Sequence, residues 1–130
     1  MKKVLAVAVI ALAVLSIALV CFAGAKAVTD GNYSDEVRRT YDPVVLEFWA
    51  PYCPACRNMA PVVDELADDY AGKMKVLTVN TENNPKATKE YKVTSIPAFF
   101  YIKDGYITGS AHGLMSKEQL KKKLGLPEIQ

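Results

Sequence analysis

The fold turns on Val44-Val45-Leu46-Glu47-Phe48-Trp49-Ala50-Pro51-Tyr52-Cys53-Pro54-Ala55-Cys56. Its first half is a short apolar run bounded by Pro43 and Pro51, the pattern of a buried strand. Beyond the second cysteine, Met59, Val62, Val63, Leu66, Ala67 and Tyr70 recur at helical spacing on one face, and Gly72 ends the run. The two cysteines therefore fall where a strand hands over to a helix. Cys53 lies at the helix N-terminus, where free backbone N–H groups and the helix dipole favour a thiolate. Pro54 suits the first turn, which does not need its missing N–H. Cys56 lies one turn further in, more shielded.

The pattern continues on both sides. Lys75 to Asn80 reads as a second strand carrying Val76, Leu77 and Val79. Asn84-Pro85 opens a helix, with asparagine as cap and proline at the first helical position. Ala98 to Ile102 is a third strand, Asp104-Gly105 a hairpin turn, and Tyr106 to Ser110 the antiparallel return. Ser116 and Gln119 form a capping box for a last helix, which points Leu120 and Leu124 inward and stops at Gly125, before Pro127. Upstream, Asp30 to Thr40 reads as a loop and short helix anchored by Tyr33 and Val37, and Lys26 to Thr29 as a poor first strand. This order predicts an α/β fold, a central mixed sheet with helices on both faces.

At 130 residues, 51% of them hydrophobic, the chain holds one domain with a real core. The apolar residues are unevenly spread. Val4 to Ala25 carries no charge and follows Lys2-Lys3, which marks residues 1–25 as a signal peptide or an N-terminal membrane anchor and 26–130 as the domain. Ala23-Gly24-Ala25 and Ala25-Lys26-Ala27 both fit a cleavage site, yet the run is also about the ~20 residues that span a bilayer. Either way the domain is expected outside the cytoplasm, in the periplasm or on the outer face of the membrane. If the leader is uncleaved, residues 4–25 are the only membrane contact. Cys21 reads as an apolar residue of the leader, with lipidation as the rival. Without the two leader lysines, 14 basic residues balance 14 acidic ones, and Lys121 to Lys123 is the only basic run, so nucleic acid is not an expected partner.

The domain then keeps two cysteines. A disulfide across so small a loop stabilises little, which makes a purely structural bridge the poorer explanation. Zinc wants about four ligands, and only His112 could be added, so no metal is expected. Thiol–disulfide exchange needs just this asymmetry: an accessible thiolate to attack, and a second thiol to resolve the mixed disulfide. No nucleotide or flavin motif is present, so no cofactor is expected.

Phe48 to Cys56 resembles the active-site segment of the thioredoxin family. The resemblance continues through Ala60-Pro61, Gly72-Lys73, Asn84-Pro85, Tyr91, Ser95-Ile96-Pro97, Asp104-Gly105 and Gly113, over roughly residues 28–125. It implies the thioredoxin fold and a redox disulfide between Cys53 and Cys56. It implies that Pro97 is a cis-proline beside the cysteines, with the Ile96 backbone pairing to a substrate chain. It also implies that Trp49, Tyr52 and Gly113 surround the nucleophile as substrate contacts, and that Pro61 bends the active-site helix. Glu47 interrupts an apolar strand, where burial would raise its pKa; it aligns with the family's buried aspartate, which moves the proton of the resolving thiol. The bland alternative is an exposed strand face.

Several residues depart from the family pattern. The acid is one methylene longer, Thr78 stands where a lysine is usual, Pro54-Ala55 replaces Gly-Pro, and Tyr52 replaces a tryptophan. Proline after the first cysteine also occurs in glutaredoxins, disulfide oxidases and cytochrome c maturation proteins. Neither Pro54 nor Ala55 offers a donor or charge to the thiolate, and Arg57 can point to solvent. The expected function is thus thiol–disulfide exchange with protein substrates as a reductant, fed by a membrane-embedded thiol donor. A disulfide oxidase or isomerase is the alternative within the class, and a non-catalytic binding or chaperone module the alternative outside it.

Overall fold

The computed structural model describes residues 24–129. The leader proper, Cys21 included, lies outside the described residues. Among those described, no helix is long and apolar enough to cross a membrane.

Five strands form one mixed sheet: β1 Lys26–Ala27, β2 Val44–Trp49, β3 Lys75–Asn80, β4 Ala98–Lys103 and β5 Tyr106–His112. Their order across the sheet is β1-β3-β2-β4-β5. β2 is parallel to β3 and antiparallel to β4, which makes it the central strand. That position explains its composition, since a strand covered on both faces reads as a continuous apolar run. The helices are α1 Pro54–Asp69, α2 Pro85–Glu90 and α3 Lys117–Leu124, preceded by a wide π-helical turn at Ser34–Arg38.

Alternation along β2 divides the core in two. Val44, Leu46 and Phe48 face one side, packing with Val37, Ala87 and Phe100. Val45 faces the other, against Met59, Val63 and Leu66 of α1 and Leu120 and Leu124 of α3. Burial of each large side chain contributes roughly 1.5–3 kcal/mol. Glu47 shares the face of Val45, so α1 covers it. Helices lie on both faces of the sheet, as the sequence predicts.

One sequence expectation changes at the helix ends. The last helix has its capping box and a left-handed Gly125, as expected. α2 does not use Asn84 as its side-chain cap. Asn84 is buried and instead accepts the Asp30 N–H (2.9 Å) while donating to the Asn80 carbonyl (2.9 Å). The free N–H groups of α2 go to Asp30, whose carboxylate oxygens accept from Lys86 (3.0 Å) and Ala87 (2.9 Å). An acid more than fifty residues upstream thus caps the helix and ties the loop after β1 to it.

Asp30→Ala should therefore lose about 1–2 kcal/mol in urea denaturation, and Asp30→Asn, which keeps one acceptor, clearly less. Equal, negligible losses in both would remove Asp30 from this role.

Candidate active site

β2 ends at Trp49, and after four more residues the chain enters α1 at Pro54. Cys53 is the N-cap of that helix, with an extended backbone (φ −88°, ψ 110°), and its Sγ accepts the Cys56 N–H at 3.1 Å. The sulfur occupies the place where a serine or aspartate oxygen would satisfy a free helix donor. Cys53 and Cys56 are joined as a disulfide. Both are buried, Cys56 (2% exposed) more than Cys53 (8%), in the order expected of an attacking and a resolving sulfur.

Ile96-Pro97 is a cis peptide bond. It brings the Ile96 carbonyl oxygen to 3.9 Å from Cys53 Sγ. The Pro97 carbonyl accepts the N–H of Gly113, at 2.9 Å, where φ is +85° and a side chain would be strained. Tyr52 stands beside the cysteines, two-thirds exposed, and Leu114, next to Gly113, is also exposed. Tyr52, Ile96, Pro97 and Gly113 are thus disposed around the disulfide. Trp49 is half-buried and faces a different space, a cavity of about 200 Å³ behind the cysteines that it lines with Glu47, Cys56, Arg57, Asp64 and Thr78.

Glu47 is 4% exposed, and its Oε1 has no hydrogen-bond partner among the described residues. The exposed-face alternative for this residue is therefore wrong. Its cross-strand neighbours are Thr78 and Phe99, neither of which carries charge. Burial, with a smaller contribution from the Asp64 charge, pushes the Glu47 carboxyl up from 4.5 to about 7. A buried acid that titrates near neutrality, lining the same cavity as the more buried cysteine, can take and give the proton of that thiol.

Arg57 differs from the sequence expectation. Its guanidinium does not simply point to solvent; it donates to the Pro51 carbonyl (2.9 Å) and lines the cavity. Asp64 is the residue that sequence reasoning missed. The signal was there, since Cys56, Ala60 and Asp64 follow one another at i, i+4 and i+8 along the same helix face.

A disulfide at the N-terminus of a helix that springs from the central strand, facing a cis-proline loop, defines a thiol–disulfide oxidoreductase. Similarity to known proteins agrees. The family model described as Thioredoxin matches residues 24–125. Thioredoxin 1 of Synechococcus elongatus is 42% identical over 100 residues, which cover 77% of this chain and 94% of that protein. Thioredoxin 1 of Nostoc sp. has the same identity and coverage, and the thioredoxin of Pseudomonas aeruginosa is 39% identical over 93 residues, 72% of this chain and 86% of its own. The chain belongs to the thioredoxin family, and Cys53–Cys56 is its redox pair.

The folded protein keeps a proton on Glu47 that the unfolded chain releases. Stability should therefore fall as pH rises from about 4.5 through about 7. Glu47→Gln cannot ionise, so its stability relative to the parent should grow by about 3 kcal/mol across that window. Urea denaturation of the oxidised proteins from pH 4 to 9 measures this, and a constant difference would contradict a buried, titrating Glu47.

Proposed function

We propose that the protein reduces disulfides of protein substrates outside the cytoplasm, with Cys53 as the attacking sulfur and Cys56 as the resolving one. The observation that carries this reading is the placement of Cys53 Sγ on a free helix N–H and beside the Ile96 backbone, with Cys56 and Glu47 behind it.

In the reduced protein the Cys53 thiolate attacks one sulfur of a substrate disulfide. A Cys53–substrate bond forms, the substrate S–S bond breaks, and the departing sulfur leaves as a thiolate that water protonates. The substrate chain lies along the cis-proline loop, pairs with the Ile96 backbone as an added strand, and touches Tyr52 and Gly113, while Trp49 walls the cavity behind the cysteines. Cys56 then passes its proton to the Glu47 carboxylate, and its thiolate attacks Cys53 Sγ. The Cys53–Cys56 bond forms and the second substrate thiolate leaves, so that two electrons pass to the substrate. Re-reduction reverses the last proton transfer, with Glu47 protonating the departing Cys56 sulfur.

The reductant direction is supported by what surrounds the thiolate. Pro54 and Ala55 bring no donor and no charge, and the nearest cation of the helix, Arg57, is engaged by the Pro51 carbonyl. The extracytoplasmic site is supported by Lys2-Lys3 ahead of a charge-free run. There, electrons come from a thiol donor embedded in the membrane, and residues 4–25 provide the only membrane contact if they are kept.

Cys56→Ser should accumulate mixed disulfides on Cys53, while Cys53→Ser should trap nothing; equal trapping by both would reverse the assignment. A reporter that works only after export, fused behind Gln130, should be active. A fusion functional solely in the cytoplasm would refute the proposed location.

A further inference from the structure

We propose that Asp64 is a positioning residue for the resolving step: from the mouth of the cavity behind Cys56, its carboxylate biases Glu47 toward its protonated form and marks the route by which the Glu47 proton reaches water. This rests on the reading that Glu47 handles the Cys56 proton.

The geometry comes first. Glu47 and Asp64 line the same cavity of about 200 Å³, with Cys56, Arg57 and Thr78. Glu47 is the deep end, buried and with Oε1 unpartnered among the described residues. Asp64 is exposed and is the open end. At the deep end the strand neighbours of Glu47 are Thr78 and Phe99, and neither offers a basic group to keep its proton. The exit lies along the α1 face that carries Asp64.

The charges around Glu47 are few. From α1 come Cys56, Arg57 and Asp64; from β3 Thr78; from β4 Phe99; from the arm before β1 only Ala25. Arg57 is held by Pro51. Lys26 is turned to Glu36, and Lys117 to Glu65 and Asp69. Asp64 is the one charged group among these that bears on the Glu47 equilibrium, and it opposes ionisation.

The backbone fixes Asp64 in place. Its Oδ1 accepts the Ala25 N–H at 3.0 Å, and a Cβ on Gly24 would come within 2.8 Å of the same oxygen. The Ala25 hydrogen bond holds the carboxylate at the cavity mouth.

Asparagine at this position keeps an acceptor for Ala25 and removes the charge. The test follows the Glu47 side-chain carboxyl by carbon NMR against pH in the oxidised protein, together with the pH dependence of product release from a preformed mixed disulfide. Asp64→Asn should move the Glu47 midpoint down by roughly half a pH unit or more, and the midpoint of the resolving step should move with it. Asp64→Ala, which also frees the arm, should give the same shift. In the unmutated protein, raising salt from about 0.01 M to about 1 M should lower the midpoint in the same direction, because an exposed charge is screened. An unmoved Glu47 midpoint in Asp64→Asn would leave Asp64 a tether for the arm and overturn the proposal, whatever happens to the rate. If Glu47→Gln retains the pH dependence of the resolving step, the role of Glu47 itself fails, and this inference with it.

Discussion

One short contact organises the active site: the Cys56 N–H donated to Cys53 Sγ at the start of α1. A helix begins with N–H groups that have no partner in the helix, and here one of them, at the third helical residue, is answered by sulfur. The contact exists because β2, the most enclosed strand of the sheet, runs almost directly into the helix. β2 is held by β3 on one side and β4 on the other, so the cysteines stand on the most constrained part of the molecule. β4 also begins directly after Pro97, and its pairing to β2 brings the cis-proline loop against Cys53. Attack geometry is thus a property of the sheet and not of a flexible loop.

The same strand imposes a cost. Alternation along β2 gives Glu47 to the face that α1 covers, where an ionised carboxylate is badly solvated. With threonine across from it in β3, no cation relieves the burial, and the acid titrates near neutrality. Only a group strained in this way can act as base for one thiol and acid for its thiolate within the same pH range. In the proposed mechanism, the stability given up at Glu47 is coupled to proton handling behind Cys56.

Much of this was legible in the sequence, for definite reasons. The strand–helix junction at Cys53 was visible because strand and helix periodicities meet there, and the Ser116 capping box because it is local. The cis bond at Pro97 came from family resemblance; nothing in its own neighbourhood announces it. Burial of Glu47 followed from its apolar flanks. What could not be read were contacts between distant segments. Asn84 looks like a helix cap, but Asp30 does that work because the fold brings the loop after β1 to α2. Arg57 looks free for solvent, but the turn before Cys53 offers it a carbonyl. Asp64 looks like one more surface acid of α1, until β2 is placed beneath it.

The side chains near Cys53 leave the helix start as the main stabiliser of its thiolate, and that determines how strongly the reduced form is favoured. The most direct measurement is the reduction potential of the Cys53–Cys56 pair, by equilibration against glutathione or a thioredoxin of known potential. We expect a value close to the about −270 mV typical of a reducing thioredoxin. A value near −120 mV, that of a strong oxidant whose reduced form is specially stabilised, would contradict a thiolate held by the helix start alone and would make the protein a disulfide donor.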